Sequence, residues 1–510
     1  MLTIENVKSA SEGTSYYMNC AYFSSIDGEK AQYAKWYGNS MESLNLSEDV
    51  ETEKFHEILK GLVEDKGTLV QLGRRNKDGK VDHDCGRDLT FAVPKSVSLQ
   101  HNLQGGDERI KTAIFNSVKS TLDYIEENFL YTRVTENKEV KLKRSGNMLA
   151  GMFYENLNRD FEYHDHVHCV IANMTKCDDG KWRSIEFKKI FENRVHLGKV
   201  FRMGLSYEMQ KLGYKLETTD KDNHFFEIKD FEKNLSEHFS GRTRSIVEKA
   251  KSISSDVNSI VKQIANLLTR NDNKNISESD LVKLNESRIK DFELQNKGQN
   301  VHESIKANTE LAIKNSGHVD NTTSRLTKQI VGNAVESLAE RNTVFLKQDI
   351  VHKSLNVGET DVKSILKEIN RLEKKEILIS GVKTSENRKT ADQKLYCTAQ
   401  SLVREKAILA SLAEGKGTFA KITTKENANH ILANTTLNKG QREAAKMVLT
   451  NKDSISLIQG YAGTGKTYML SVLKDSIETI NAFEIQKDKA HIKHQLVGLA
   501  PSGAAVKEYK

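Results

Sequence analysis

The sequence predicts an α+β domain at the N-terminal end, then a helical connector, a winged-helix-like module and the opening of an α/β nucleotide-binding domain. Three observations carry this. The first part of the chain holds both tryptophans, Trp36 and Trp182, and mixes strand-like runs (FYENLN, HVHCVIANM, HFFEIKDF) with amphipathic stretches such as IKTAIFNSVKSTLDYIEENFL. Residues 231–330 carry only three glycines, no proline and three aromatics (Phe231, Phe239, Phe292). A Gly-rich turn, GYAGTGKT, follows an apolar run at residues 460–467.

A length of 510 residues suits about three domains. The expected divisions are 1–235, 236–330, 331–425 and 431–510. In the connector, RSIVEKAKSISSDVNSIVKQIANLL has helical spacing, and the Asn-, Ser- and Lys-rich stretch 271–325 is open to partial disorder. In the third segment, VESLAERNTVFLKQDIVHKSLN and DVKSILKEINRLEKKEILI read as helices ahead of a hairpin ending at LYCTAQ. In the fourth, LNKGQREAAKMVLTN reads as a helix, DSISLIQ as a buried strand and QLVGLAP as a second strand.

Composition excludes several classes. Mean hydropathy is −0.58, and no apolar run approaches the ~18 residues of a membrane span. The N-terminal residues lack a basic start followed by an apolar stretch, so a secretory signal is not expected. The cysteines (Cys20, Cys85, Cys169, Cys177, Cys397) are scattered without a C-x-x-C pair, which argues against a disulfide scaffold and a cysteine zinc site. A cytosolic protein is expected. The net charge of +7 permits nucleic-acid binding without demonstrating it. Only two prolines occur, Pro94 and Pro501, so each is expected where a fixed φ is needed.

Residues Gly460 to Thr467 fit G-x-x-x-x-G-K-[ST]. Backbone N–H groups around Gly460, Gly463, Thr464 and Gly465 can wrap a phosphate chain, with Lys466 at the outer phosphates and Thr467 on Mg²⁺. Gln441, on the helix upstream, is a candidate for reading an adenine edge. Hydrolysis also needs an acidic residue at the end of another strand. No apolar strand ending in such a group follows Thr467, so ATP with Mg²⁺ is a candidate ligand and turnover by this chain alone is not expected.

His164, His166 and His168 alternate within FEYHDHVHCVI. On a strand they share one face, about 6.6 Å apart per step, and the outer two lie about 13 Å apart. A divalent ion is therefore expected on His166 and His168 with a third donor from elsewhere, Glu155 and His164 being the candidates. Two histidines, a third ligand and an open position make a Lewis acid able to polarise a phosphodiester. Tyr16 and Tyr17, with Tyr22 beyond, offer a nucleophile for a phosphotyrosyl link. Asp88, opening DLTFAV, can orient a metal-bound histidine or take a phenolic proton. Each of these is weak alone, since most tyrosine pairs are core aromatics.

Together the residues resemble the conjugative relaxase–helicases of the MobF type, the TraI/TrwC group. SASEGTSYY is similar to the family's tyrosine motif, DLTFAVPKSVSLQ to its D-L-T-F-S-A-P-K-S-V-S segment, and HVHCVIANMTKCDDGKWRSI to its H-x-H strand and sequel. LNKGQREAA, GYAGTGKTYML and GLAPSGAAV resemble the opening of a superfamily 1 helicase. The resemblance implies an antiparallel, palm-like sheet with an HUH-type metal site, and a connector that covers DNA. It implies metal-dependent nicking of single-stranded or hairpin transfer-origin DNA through a 5′-phosphotyrosyl intermediate. Tyr16 matches the primary nucleophile, Tyr17 its neighbour, Asp88 the orienting aspartate, and His166 and His168 two metal histidines. By the family's spacing the first metal histidine falls at Glu155, a ligand suited to Mg²⁺ or Mn²⁺; His164 is the alternative. The second tyrosine pair reads Tyr22-Phe23. The helicase part is expected to be truncated. Implied partners are a type IV secretion coupling protein and relaxosome accessory proteins, in a bacterial cytoplasm. The competing readings are a decayed relaxase that only binds DNA through Lys141, Lys143, Arg144, Arg242 and Arg244, and a helicase-like ATPase fragment.

Overall fold

In a computed structural model of the chain, the structure describes residues 2–19, 34–65, 67–136, 138–254, 256, 258–269, 277–296, 300–316, 320–358, 360–383, 393–461, 463–487 and 493–498. Tyr22, Phe23 and the GLAPSGAAV segment from Leu499 onward, with Pro501, lie outside the described residues. The chain divides into two compact units, 1–398 and 399–510.

The first unit is built on five antiparallel strands. These are β1 (Leu2–Asn6), β2 (Ala34–Tyr37), β3 (Gly86–Ala92), β4 (Ala150–Leu157) and β5 (Tyr163–Ala172), in the order β1-β3-β5-β4-β2. Alternation along the strands sorts side chains to two faces. Leu89 and Phe91 of β3, Met152 and Tyr154 of β4, and Val167, Cys169 and Ile171 of β5 join one buried cluster. The helices α3 (Arg109–Asn128) and α4 (Arg194–Lys211) supply Ile114, Val118, Leu122, Val200 and Phe201 to the same cluster. The opposite face presents Asp88 and Thr90, Phe153 and Glu155, and His166 and His168. It is partly covered by α1 (Ala10–Asn19) and the helix Thr52–Leu59, which meet Phe153 and Val170 in a second cluster.

α2 (Lys95–Asn102) follows β3 directly, with Pro94 at its N-cap. Its fixed φ of −58° suits the entry to a helix whose first N–H groups need no partner within it. The connector is helical, and Glu278–Gln295 and Val301–Asn315 are ordered helices within the stretch left open to disorder. Ile289, Phe292, Val301 and Ile305 pack on Leu99 and Leu103, so apolar burial offsets the polar composition. Beyond it, helices Lys347–Val357 and Val362–Lys374 precede a hairpin, Leu378–Lys383 with Gln393–Thr398, which Phe345–Leu346 extends to three strands. Val351, Ile365 and Leu378 belong to the same cluster as the central sheet. The division between units falls at Thr398, inside the segment 331–425.

In the second unit, helices Lys439–Thr450 and Lys466–Lys487 pack through Ala445, Leu449, Met469 and Leu473. The buried strand expected at DSISLIQ is not formed: residues 453–459 have no strand pairing, and Leu457 is 81% exposed. The described part of QLVGLAP is likewise not a strand. An isolated parallel strand has no backbone partners, and no neighbouring strand is present among the described residues of this unit to supply them. No helix among the described residues is long and apolar enough to cross a membrane.

Phe91 is fully buried and its ring centroid lies 5.1 Å from that of Phe201. Phe91→Ala should therefore cost about 3–5 kcal/mol, read as a lower denaturant midpoint of the first unit by tryptophan fluorescence.

Candidate metal and tyrosine site

The site is assembled by strand register. Glu155 on β4 pairs directly with His166 on β5, and Thr90 on β3 pairs with His168. Directly opposed residues share a face, so the pairing places a carboxylate beside the two histidines. Glu155 Oε2 lies 3.2 Å from His166 Nε2. One donor atom from each of Glu155, His166 and His168 falls within 4.8 Å of the others, and this is the one such group of three among the described residues. His164 stays outside it. Its ring stacks on His166 at 5.6 Å, and burial, then His166, pushes its pKa well below the ordinary histidine value.

The Nδ1 atoms are already engaged. His166 Nδ1 donates to the His164 carbonyl at 2.8 Å, and His168 Nδ1 meets Asp88 Oδ2 at 2.7 Å. That leaves both Nε2 atoms for a cation beside the Glu155 carboxylate, so the donor set fits a divalent ion. Burial opposes a charge on His168, but Asp88 beside it outweighs burial and raises its pKa.

Tyr16 and Tyr17 lie in the last turns of α1. Tyr17 stacks on Phe153, with centroids 5.3 Å apart and planes at 26°. Its hydroxyl donates to Asp88 Oδ2 at 2.9 Å, the same oxygen that meets His168. Burial, then the Asp88 charge, pushes the Tyr17 phenol far above the usual tyrosine range. The Tyr16 ring stands edge-on to Tyr17 at 4.9 Å and to His168 at 5.9 Å. The expected Tyr16, Tyr17, Asp88, Glu155, His166 and His168 thus come together. Thr90, whose hydroxyl lies 3.2 Å from His168 Nδ1, was not singled out from the sequence. Its two-residue spacing from Asp88 was the available signal.

The proposed DNA-contacting arginines have other partners. Arg242 caps helix Ser259–Leu268 through the carbonyls of Asn266 and Thr269, and Arg244 binds the carbonyls of Glu237 and His238. Lys143 pairs with Glu136 across the hairpin Tyr131–Glu136/Glu139–Arg144, where Lys141 and Arg144 are also exposed.

In the second unit Gly463 and Gly465 take φ of 76° and 72°, and the helix opens at Lys466, with Thr467 exposed in its first turn. Lys466 Nζ donates to the carbonyls of Gly460 at 2.8 Å and Tyr461 at 2.7 Å, and Thr464 Oγ1 to that of Tyr461 at 2.9 Å. Gln441 is occupied locally. It completes a capping box with Asn438, and its Nε2 donates to the Thr464 carbonyl at 2.9 Å.

Similarity to known proteins identifies the family of this chain. The sequence profile of the TrwC relaxases matches residues 7–292, and the chain belongs to that family, the conjugative relaxases of the MobF type. The profile of an AAA domain matches residues 436–510. The multifunctional conjugation protein TraI of Escherichia coli strain K12 is 28% identical over 287 residues, 54% of this chain and 15% of that protein. A second Escherichia coli TraI is 30% identical over 232 residues, 43% of this chain. The match spans only 12% of its length. Among solved structures, the conjugative relaxase TrwC in complex with mutant oriT DNA matches with TM-score 0.50 and 29% identity, over 57% of this chain and 98% of that one. A copper-bound TrwC–oriT DNA structure matches with TM-score 0.50 and 26% identity, over 61% and 98%.

Asp88→Asn removes the charge that orients His168. It should weaken Mn²⁺ binding about 10–100-fold in calorimetric titration of the purified chain, while thermal unfolding still reports a folded first unit.

Proposed function

We propose that this chain nicks one strand of transfer-origin DNA and rejoins it through a 5′-phosphotyrosyl intermediate. The observation that supports this most is the meeting of Tyr17 Oη, Asp88 Oδ2 and His168 Nδ1 within hydrogen-bond distance, beside a three-donor cluster on the same sheet face. The TrwC structures similar to this chain hold oriT DNA, and one is copper-bound, which supports DNA and a divalent metal as ligands here.

In this reading Glu155, His166 and His168 hold Mg²⁺ or Mn²⁺, a variant of the HUH arrangement in which a carboxylate replaces one imidazole. A bound ion there would polarise a non-bridging phosphate oxygen. Tyr16 is the primary nucleophile: its phenolic oxygen forms the new bond to phosphorus, the bond to the 3′ oxygen breaks, and that oxygen takes up a proton. Asp88 fixes the imidazole of His168 and is the base within reach of the tyrosine pair through Tyr17. Tyr22 is assigned to the second transfer. The connector 236–330 covers DNA, the helices and hairpin after residue 331 form a winged-helix-like module, and 431–510 is the start of a helicase domain. The setting is the bacterial cytoplasm, with coupling and relaxosome proteins as partners.

A second reading, that the second unit binds ATP with Mg²⁺, is favoured by the AAA match and the glycine geometry around Lys466. DNA-stimulated ATP turnover by this chain is not part of the proposal, and measuring it would revise the assignment.

Incubating the chain with Mn²⁺ and single-stranded oligonucleotides spanning a transfer origin should yield a covalent adduct on a denaturing gel. Tyr16→Phe should reduce it at least about 100-fold, in line with loss of a nucleophile, and the double variant with Tyr17→Phe should abolish it. An unchanged adduct in the double variant would overturn the assignment. Metal affinity should also rise with pH. His168 has a raised pKa, and a protonated imidazole cannot ligate, so apparent Mn²⁺ affinity should be weak at about pH 6 and climb above the ordinary histidine value of about 6.5.

A further inference from the structure

The sheet face opposite the donor cluster carries a buried polar network where hydrophobic packing would be the default. Asp165 is fully buried. Its Oδ1 accepts from Asn102 Nδ2 at 2.8 Å and Tyr154 Oη at 2.9 Å, and its Oδ2 lies 2.9 Å from His101 Nδ1. Its backbone N–H donates to Ser98 Oγ at 3.0 Å, and its carbonyl accepts from the Val93 N–H at 3.2 Å. Ser98, His101 and Asn102 share one face of α2, which is why a single helix can supply all three.

Asn102 does more than satisfy Asp165. Its Oδ1 accepts from Asn156 Nδ2 at 2.9 Å, and its Nδ2 also donates to the Ser98 carbonyl at 2.8 Å. Asn156 directly follows Glu155, and Asp165 directly precedes His166. One amide therefore ties together the neighbours of two donors that lie on adjacent strands. The register between β4 and β5 shifts between Glu155 and Leu157. At such a bulge the backbone ladder is interrupted and a side chain is re-aimed, so side-chain bonds must hold what the ladder does not.

We propose that Asn102, Asn156 and Asp165 are positioning residues that hold the carboxylate of Glu155, the last residue in register before the shift, against His166, so that the donor set keeps the spacing a divalent ion needs. This rests on reading Glu155, His166 and His168 as a metal site. The network acts through the backbone of the residues flanking the donors, not by touching the ion. A fully satisfied polar network specifies one arrangement, whereas apolar packing at the same place tolerates small slips.

The test is calorimetric titration of the full chain with Mn²⁺ alone, paired with thermal melts. Asn156→Ala cuts only the arm to β4, at a half-buried side chain, and should leave the melting temperature within about 2–4 °C, as a ΔΔG near 1 kcal/mol would. It should raise the Mn²⁺ Kd about tenfold, and Asn102→Ala should raise it further. Val97→Ala is the control: Val97 is fully buried in α2 and belongs to the apolar cluster. It should lower the melting temperature and leave Kd within about twofold. Wild-type affinity in both asparagine variants would overturn the proposal, as would an equal loss of affinity in Val97→Ala. If Asn102→Ala fails to fold, Asn156→Ala decides. A wild-type chain that takes up no Mn²⁺ would instead sink the metal reading itself, and the proposal with it.

Discussion

Asp88 is the joint of the site. Its Oδ2 is shared by Tyr17 on the N-terminal helix and His168 on the central strand, groups 71 and 80 residues away in sequence. Asp88 is only 5% exposed, so its charge has little water to fall back on. Hydrogen bonds to a charged acceptor are worth about 1.5–3 kcal/mol each, and removing one partner strands the rest of the charge. The carboxylate therefore does three jobs. It orients the imidazole, accepts the hydrogen bond of the Tyr17 hydroxyl, and ties the tyrosine-bearing helix to the sheet by a directional bond where stacking on Phe153 alone would let it slide.

The other constraint is the sheet's two-residue period. Val167, Cys169 and Ile171 lie in the main core, and His166 and His168 between and before them face the opposite side. A slip of one residue would bury both imidazoles among Phe91, Phe201 and Val118 and expose Val167. Desolvating two imidazoles without partners costs several kcal/mol. The hydrophobic face thus enforces the chemistry of the polar one. The same logic explains why the network around Asp165 must be complete: it sits on the hydrophobic side, where an unpaired carboxylate is costly.

Much of this was legible in the sequence where chemistry recurs at short spacing. The alternating histidines and the Asp88 strand follow from local pattern, and the scarcity of proline marked Pro94 as a position of fixed φ. Spacing left Glu155 and His164 as rival third donors, and only the pairing of Glu155 with His166 separates them geometrically. The Asp88–tyrosine contact was anticipated from chemistry, though not that Tyr17 makes it, and the Asn102–Asn156 bridge was not legible, because it joins elements whose adjacency depends on strand order. DSISLIQ misled for the opposite reason. Its apolar content suits a buried strand, but a strand is made by its neighbours, and residues 453–459 have none among those described. Arg242 and Arg244 looked like free cations because composition cannot show that helix-end carbonyls claim them.

The carboxylate among the metal donors has an electrostatic consequence that three imidazoles would lack. Glu155 and Asp88 both lie within the site, and with neutral imidazoles they leave it net anionic. A DNA phosphate approaching such a pair is repelled, and at a few ångströms in a half-buried setting that repulsion amounts to several kcal/mol. In the proposed reading, a divalent ion held by Glu155, His166 and His168 would offset both charges and so ease the approach of the phosphate. A carboxylate in poor aim would then hold the cation less well and balance its charge less well.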